Sequence, residues 1–134
     1  MAKLSDIEGI GPKFETKLKD IGIGSLEKLL EAGAKASGRA NIAKESGISE
    51  KLILTWVNKA DLTRVKGIST QYADLLEFAN VNTIPQLATR NAENLTTKMQ
   101  EVNAERNLVR KTPVLTNVQD WIAQAKELPR ILEY

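Results

Sequence analysis

Two glycines, a proline and a lysine fall within five positions at Gly9-Ile10-Gly11-Pro12-Lys13. Glycine lets the backbone turn tightly, Pro12 suits the first position of a helix, and the N–H groups of a helix start attract an anion. Chemistry that breaks bonds has far fewer candidate residues. The chain contains no histidine and no cysteine, which removes imidazole ligands, Ser–His–Asp triads, thiolate nucleophiles, disulfides and cysteine zinc sites. No Gly-x-x-x-x-Gly-Lys run and no Gly-x-Gly-x-x-Gly after a strand supports nucleotide binding, so no cofactor is expected. The pairs Asp6 with Glu8 and Asp20 with Glu27 lack diagnostic ligand spacing, and a solvated helix surface explains them, so no metal is expected. No residue is assigned a catalytic role. The expectation is a binding module and not an enzyme.

The elements that must position these residues follow from composition and pattern. The chain has 134 residues, 42% hydrophobic and 27% charged, with a net charge of +2. That is the size of one ordinary domain or two very small ones, with enough chain to bury an aliphatic core. Near-neutrality is far from the polycationic balance of a dedicated nucleic-acid packaging protein. No stretch approaches the 18 apolar residues of a membrane span, and Met1-Ala2-Lys3-Leu4-Ser5-Asp6 does not read as a signal sequence. A cytoplasmic protein with no membrane partner is expected.

The local signals are helical throughout, without a convincing period-2 strand. Pro12 opens a helix to about Ile21; Ser25 caps Leu26–Ala32, with Gly33 as a stop. Ser37 caps a helix through Ser46, and Gly47 ends it. Ser49 precedes Glu50–Asp61, whose Leu52, Ile53, Trp56, Val57 and Ala60 form an apolar stripe. Further helices are expected at about 70–79, 84–90, 92–107 and 117–127, the last with a Thr116/Gln119 capping box. The fold class is therefore all-α, with roughly eight to ten short helices in two small bundles.

The chain also repeats itself. Ile7-Glu8-Gly9-Ile10-Gly11-Pro12-Lys13-Phe14 aligns with Val65-Lys66-Gly67-Ile68-Ser69-Thr70-Gln71-Tyr72 at a lag of 58 residues. Leu18, Ile23 and Leu29 fall over Leu76, Val81 and Leu87 at the same lag. Ile53-x-x-Trp56-Val57-x-x-Ala60 matches Val118-x-x-Trp121-Ile122-x-x-Ala125 at a lag of 65, so seven residues are inserted between Arg90 and Thr116. Two units are expected, 1–62 and 63–134, the second carrying a longer inserted helix.

The segment from Ile7 to Leu18 resembles the helix-hairpin-helix motif, apolar-x-Gly-apolar-Gly-x-x-x-Ala followed by an amphipathic helix. The resemblance implies that Ile10 plugs the gap between two antiparallel helices while the amides beyond Gly11 hold a nucleic-acid phosphate without reading bases. Carried over, the binding residues are Gly9, Ile10, Gly11, Lys13 and Lys17. Glu15 stands where the motif has a small residue. The second copy has Ser69 for the second glycine and no lysine after it, and Ser resists a left-handed backbone. A weaker second site is expected at Arg64, Lys66, Gly67 and Ser69. Each half also resembles the small helical domain that precedes the ATPase core of RecA-type recombinases of archaea and eukaryotes. The doubled arrangement resembles a bacterial family of duplicated helix-hairpin-helix proteins catalogued as a domain of unknown function.

Arg106, Arg110 and Lys111 lie within six positions, with no acid from 106 to 119. A solvated helix end accounts for them, a second backbone-binding patch being the other reading. Trp56 and Trp121 sit on apolar stripes and are expected to anchor cores. Two function classes follow. The first is sequence-independent binding of a nucleic-acid backbone, DNA ahead of RNA, through the first hairpin. The alternative is a protein-interaction or assembly adaptor in which the hairpins are purely structural.

Overall fold

Polar side chains at the helix starts set the element boundaries. In a computed structural model, which describes residues 3–133, Ser25 Oγ accepts from the Lys28 N–H at 3.2 Å, and Thr83 Oγ1 accepts from Gln86 at 3.1 Å. Asn91 Oδ1 accepts from Asn94 at 2.9 Å, and Ser49 Oγ from Leu52 at 3.2 Å. Each satisfies an amide that the helix itself cannot. The result is all-α, with eight α-helices and no strand among the described residues. They are α1 (Pro12–Asp20), α2 (Leu26–Gly33), α3 (Ala36–Ser46), α4 (Glu50–Leu62), α5 (Thr70–Phe78), α6 (Ile84–Ala88), α7 (Ala92–Arg106) and α8 (Leu115–Glu127). A 3-10 turn at Leu4–Asp6 precedes them. No helix among the described residues is long and apolar enough to cross a membrane.

Some expected caps are not where the sequence put them. The Arg39 N–H reaches the Lys35 carbonyl at 3.1 Å, so α3 starts at Ala36 and Ser37 lies inside it. Likewise Val118 N–H reaches the Val114 carbonyl at 3.1 Å, which starts α8 at Leu115 and takes Thr116 out of the cap. Asn117 Oδ1 accepts instead from the Val114 N–H, at 3.3 Å. Gly33 does not stop α2 from outside but is its last residue, without positive φ, and it serves packing instead: a β-carbon there would sit 2.6 Å from Val57 Cγ2.

The chain divides into two compact units. In the first, α1 and α2 pack on α3 around Ile10, Leu18, Leu29, Ile53 and Trp56. In the second, α5 packs on α7, and α6 and α7 on α8, around Ile68, Leu76, Leu87, Met99 and Trp121. The boundaries depart from those expected, because Leu62 belongs to the second unit and the residues from Arg130 on belong to the first. Met1, Ala2 and Tyr134, at the outer ends of the expected units, lie outside the described residues. Leu132 is buried in the first unit's core. The Glu133 N–H donates to the Ala34 carbonyl at 2.8 Å, and the buried Arg39 fastens the segment. Its guanidinium donates to the carbonyls of Gly33 (2.8 Å), Ala34 (3.3 Å) and Glu133 (2.8 Å). The carbonyls of Gly33 and Ala34 lie at the C-terminal end of α2 and have no intrahelical donor.

The inserted residues are shared between a longer third helix and a longer link. Helix α7 has 15 residues against 11 in α3, and residues 107–114 separate it from α8.

Candidate nucleic-acid interface

The glycine turns are built alike in the two units. Ile10 N–H donates to the Ile7 carbonyl at 3.1 Å, with Gly9 at φ +97°; Ile68 N–H donates to the Val65 carbonyl at 3.1 Å, with Gly67 at φ +100°. Of the turns closed this way, type II has positive φ at its third residue, which is where each glycine stands. Each turn is backed by the tryptophan of its own unit. A β-carbon on Gly9 would lie 3.5 Å from Trp56 Nε1, and one on Gly67 would lie 2.8 Å from Trp121 Nε1. The tryptophans in turn carry the aromatic of the following helix. Phe14 and Trp56 have ring centroids 5.3 Å apart at 57°, and Tyr72 and Trp121 are 5.3 Å apart at 51°. Both tryptophans are buried, as their apolar stripes led us to expect.

The second position of each turn differs from the sequence reading. Gly11 is extended (φ −82°, ψ 179°), and so is Ser69 (φ −80°, ψ 172°). No left-handed backbone is required there, so serine fits without strain. What changes is the cap. Ser69 Oγ accepts from the Tyr72 N–H at 3.3 Å, whereas Gly11 offers no side chain and the following Pro12 no N–H. The first-turn amides of Lys13 and Phe14 are thus left for an external acceptor.

The side chains around the first turn sort into exposed and buried. Gly9, Gly11 and Lys13 are exposed and Lys17 is half-buried, with its Nζ 6.0 Å from the centre of the Phe14 ring. Ile10 is only 3% exposed, so its side chain packs the core and cannot touch a ligand. Glu15 lies 3.8 Å from Lys19 one helical turn on, which offsets part of its charge.

The second turn is more heavily engaged. Gln124 clamps Lys66 on both backbone atoms, accepting from its N–H at 2.8 Å and donating to its carbonyl at 3.0 Å. Arg64 donates to the Pro129 carbonyl at 2.7 Å and holds the end of its own unit, so it is not a free phosphate partner. Gly67 lies against Trp121, and Ser69 spends its hydroxyl on its own helix. Of the basic run, Arg106 stacks on Phe78, with its guanidinium carbon 3.9 Å from the ring centre. The repeat aligned both tryptophans with both glycines, and that was the available signal for their contact.

The chain belongs to the family described as Domain of unknown function (DUF4332), which matches residues 8–128. The matched span takes in both glycine turns and both tryptophan-bearing helices. No curated protein and no solved structure gives a significant match.

Proposed function

We propose that this chain is a non-enzymatic cytoplasmic module that binds the phosphate backbone of nucleic acid, DNA ahead of RNA, through the first glycine turn. In this reading the two units are duplicated helix-hairpin-helix elements, similar to those of the RecA-type recombinase domain, and only the first keeps the phosphate contact. The observation that carries it is the start of α1. Gly11 caps nothing, Pro12 donates nothing, and the amides of Lys13 and Phe14 open beside the exposed Lys13 ammonium. The charge of Glu15, which opposes an anion there, is offset in part by Lys19 at 3.8 Å. The adaptor reading has on its side the second turn, where Ser69, Gln124 and Arg64 satisfy the backbone internally.

Anisotropy of labelled duplex DNA, single-stranded DNA and RNA at two salt concentrations separates the two. Phosphate contact predicts binding indifferent to sequence that weakens with salt, with a slope set by about two to four phosphates. Lys13→Glu is expected to weaken it while leaving the melting temperature in place. Binding at low salt that ignores Lys13→Glu, or no binding at all, would leave the adaptor reading standing.

A further inference from the structure

Within the second unit, a cleft of about 390 Å³ opens between the start of α5 and the inserted link, lined by Ser69, Gln71, Tyr72 and residues 107–111. That size lies in the range of small-ligand sites. Its lining holds no acid and two adjacent cations, Arg110 and Lys111. Arg110 stands apart from its kind. The guanidinium groups of Arg39, Arg64, Arg90 and Arg130 hold backbone carbonyls, and that of Arg106 holds a ring. Among the described residues Arg110 is the arginine whose side chain makes no hydrogen bond, ion pair or ring contact.

The link that presents it is fixed on both sides. Asn107 adopts the left-handed conformation (φ +52°) that turns the chain out of α7. Asn103 then grips Val109 twice, its Nδ2 donating to the carbonyl at 3.0 Å and its Oδ1 accepting from the N–H at 2.9 Å. On the other side the Tyr72 hydroxyl donates to the Lys111 carbonyl at 3.1 Å. Two cations with exposed side chains are thus held on an anchored backbone, so that binding a ligand need order only the side chains and not the link.

We propose that this cleft binds a phosphomonoester of nucleotide size, with the Arg110 guanidinium and the Lys111 ammonium on the phosphate. The planar fork of arginine matches phosphate oxygens two at a time, and lysine adds a point charge. The volume exceeds that of a bare anion. Gln71 and Asn107 supply amide donors and acceptors for the remainder of the ligand. The free source would be a mononucleotide, and the polymeric source the phosphorylated end of an oligonucleotide. This site is separate from the first glycine turn, so either proposal can fail alone.

The test is an NMR titration of the full chain, following backbone amides. The probes are thymidine 5′-monophosphate, thymidine, and an eight-residue oligothymidylate with and without a 5′-phosphate. Shifts at residues 69–72 and 107–111 are expected with thymidine 5′-monophosphate and not with thymidine. Comparing its affinity with that of the 5′-phosphorylated oligonucleotide tells which source the cleft prefers. The doubly neutral variant Arg110→Gln with Lys111→Gln should weaken this binding about tenfold or more without moving the melting temperature. Lys13→Glu should leave it unchanged. Equal shifts with thymidine, no shifts in these segments, or binding untouched by the double variant would overturn the proposal. Shifts confined to residues 11–17 would overturn it while leaving the first-turn reading intact.

Discussion

A β-carbon on Gly67 would meet Trp121 Nε1 at 2.8 Å, and one on Gly9 would stop 3.5 Å from Trp56 Nε1. Both residues have positive φ, so alanine is strained at either site by about 1–2 kcal/mol. Only at Gly67 must the indole also move, and forcing extra volume into a packed site costs about 1 kcal/mol or more again. Gly67→Ala is therefore expected to destabilise the second unit more than Gly9→Ala destabilises the first. Each unit carries a single tryptophan, so fluorescence-monitored urea unfolding in Trp121→Phe and Trp56→Phe backgrounds reads the two units separately. Equal losses would show that the indole yields freely. Alignment of the repeat had placed the glycines and tryptophans in register, yet the difference in clearance was not legible. It depends on tenths of an ångström in packing that residue types do not encode.

At the scale of the helix, the comparison between Gly11 and Ser69 turns on one hydroxyl. Gly11→Ser should copy the Ser69 cap, leave the turn intact because the position is extended, and stabilise α1 by a few tenths of a kcal/mol. The same hydroxyl would occupy the amide that the proposed phosphate needs. Oligonucleotide binding is accordingly expected to fall about threefold to tenfold while the melting temperature holds or rises. Tighter or unchanged binding would remove the amides from the account. The helices themselves were largely readable, since Pro12, Ser25, Ser49, Thr83 and Asn91 start elements by local chemistry that neighbours in sequence supply. Three features were not. Ser37 and Thr116 are good caps that the chain passes over, because carbonyls two residues earlier already hold the first helical bonds. Gly11 looked like a residue needing left-handed freedom, and its glycine matters for what it leaves uncapped. The cleft beside α5 depends on Asn103 gripping Val109 and on Tyr72 reaching Lys111, contacts for which the sequence carries no periodic signal.

On the scale of the whole chain, the two compact units are not equally closed. The second is one unbroken stretch, whereas the first is completed by the segment from Arg130 on, with Leu132 in its core and Arg39 on the Glu133 carbonyl. Leu132→Ala should cost the first unit about 2 kcal/mol or more, as truncation of a buried leucine does. The second unit should be spared, which the same single-tryptophan backgrounds would show; equal loss in both would mean that Leu132 supports more than its own core. The order in which a ribosome delivers these residues then runs against the order in which the units can finish. Everything the second unit packs has been synthesised by Pro129, while the first, although made earlier, still waits for the leucine and the carbonyl that arrive afterwards. Until then the earlier half would remain an open bundle, its α2 carbonyls and part of its core facing water.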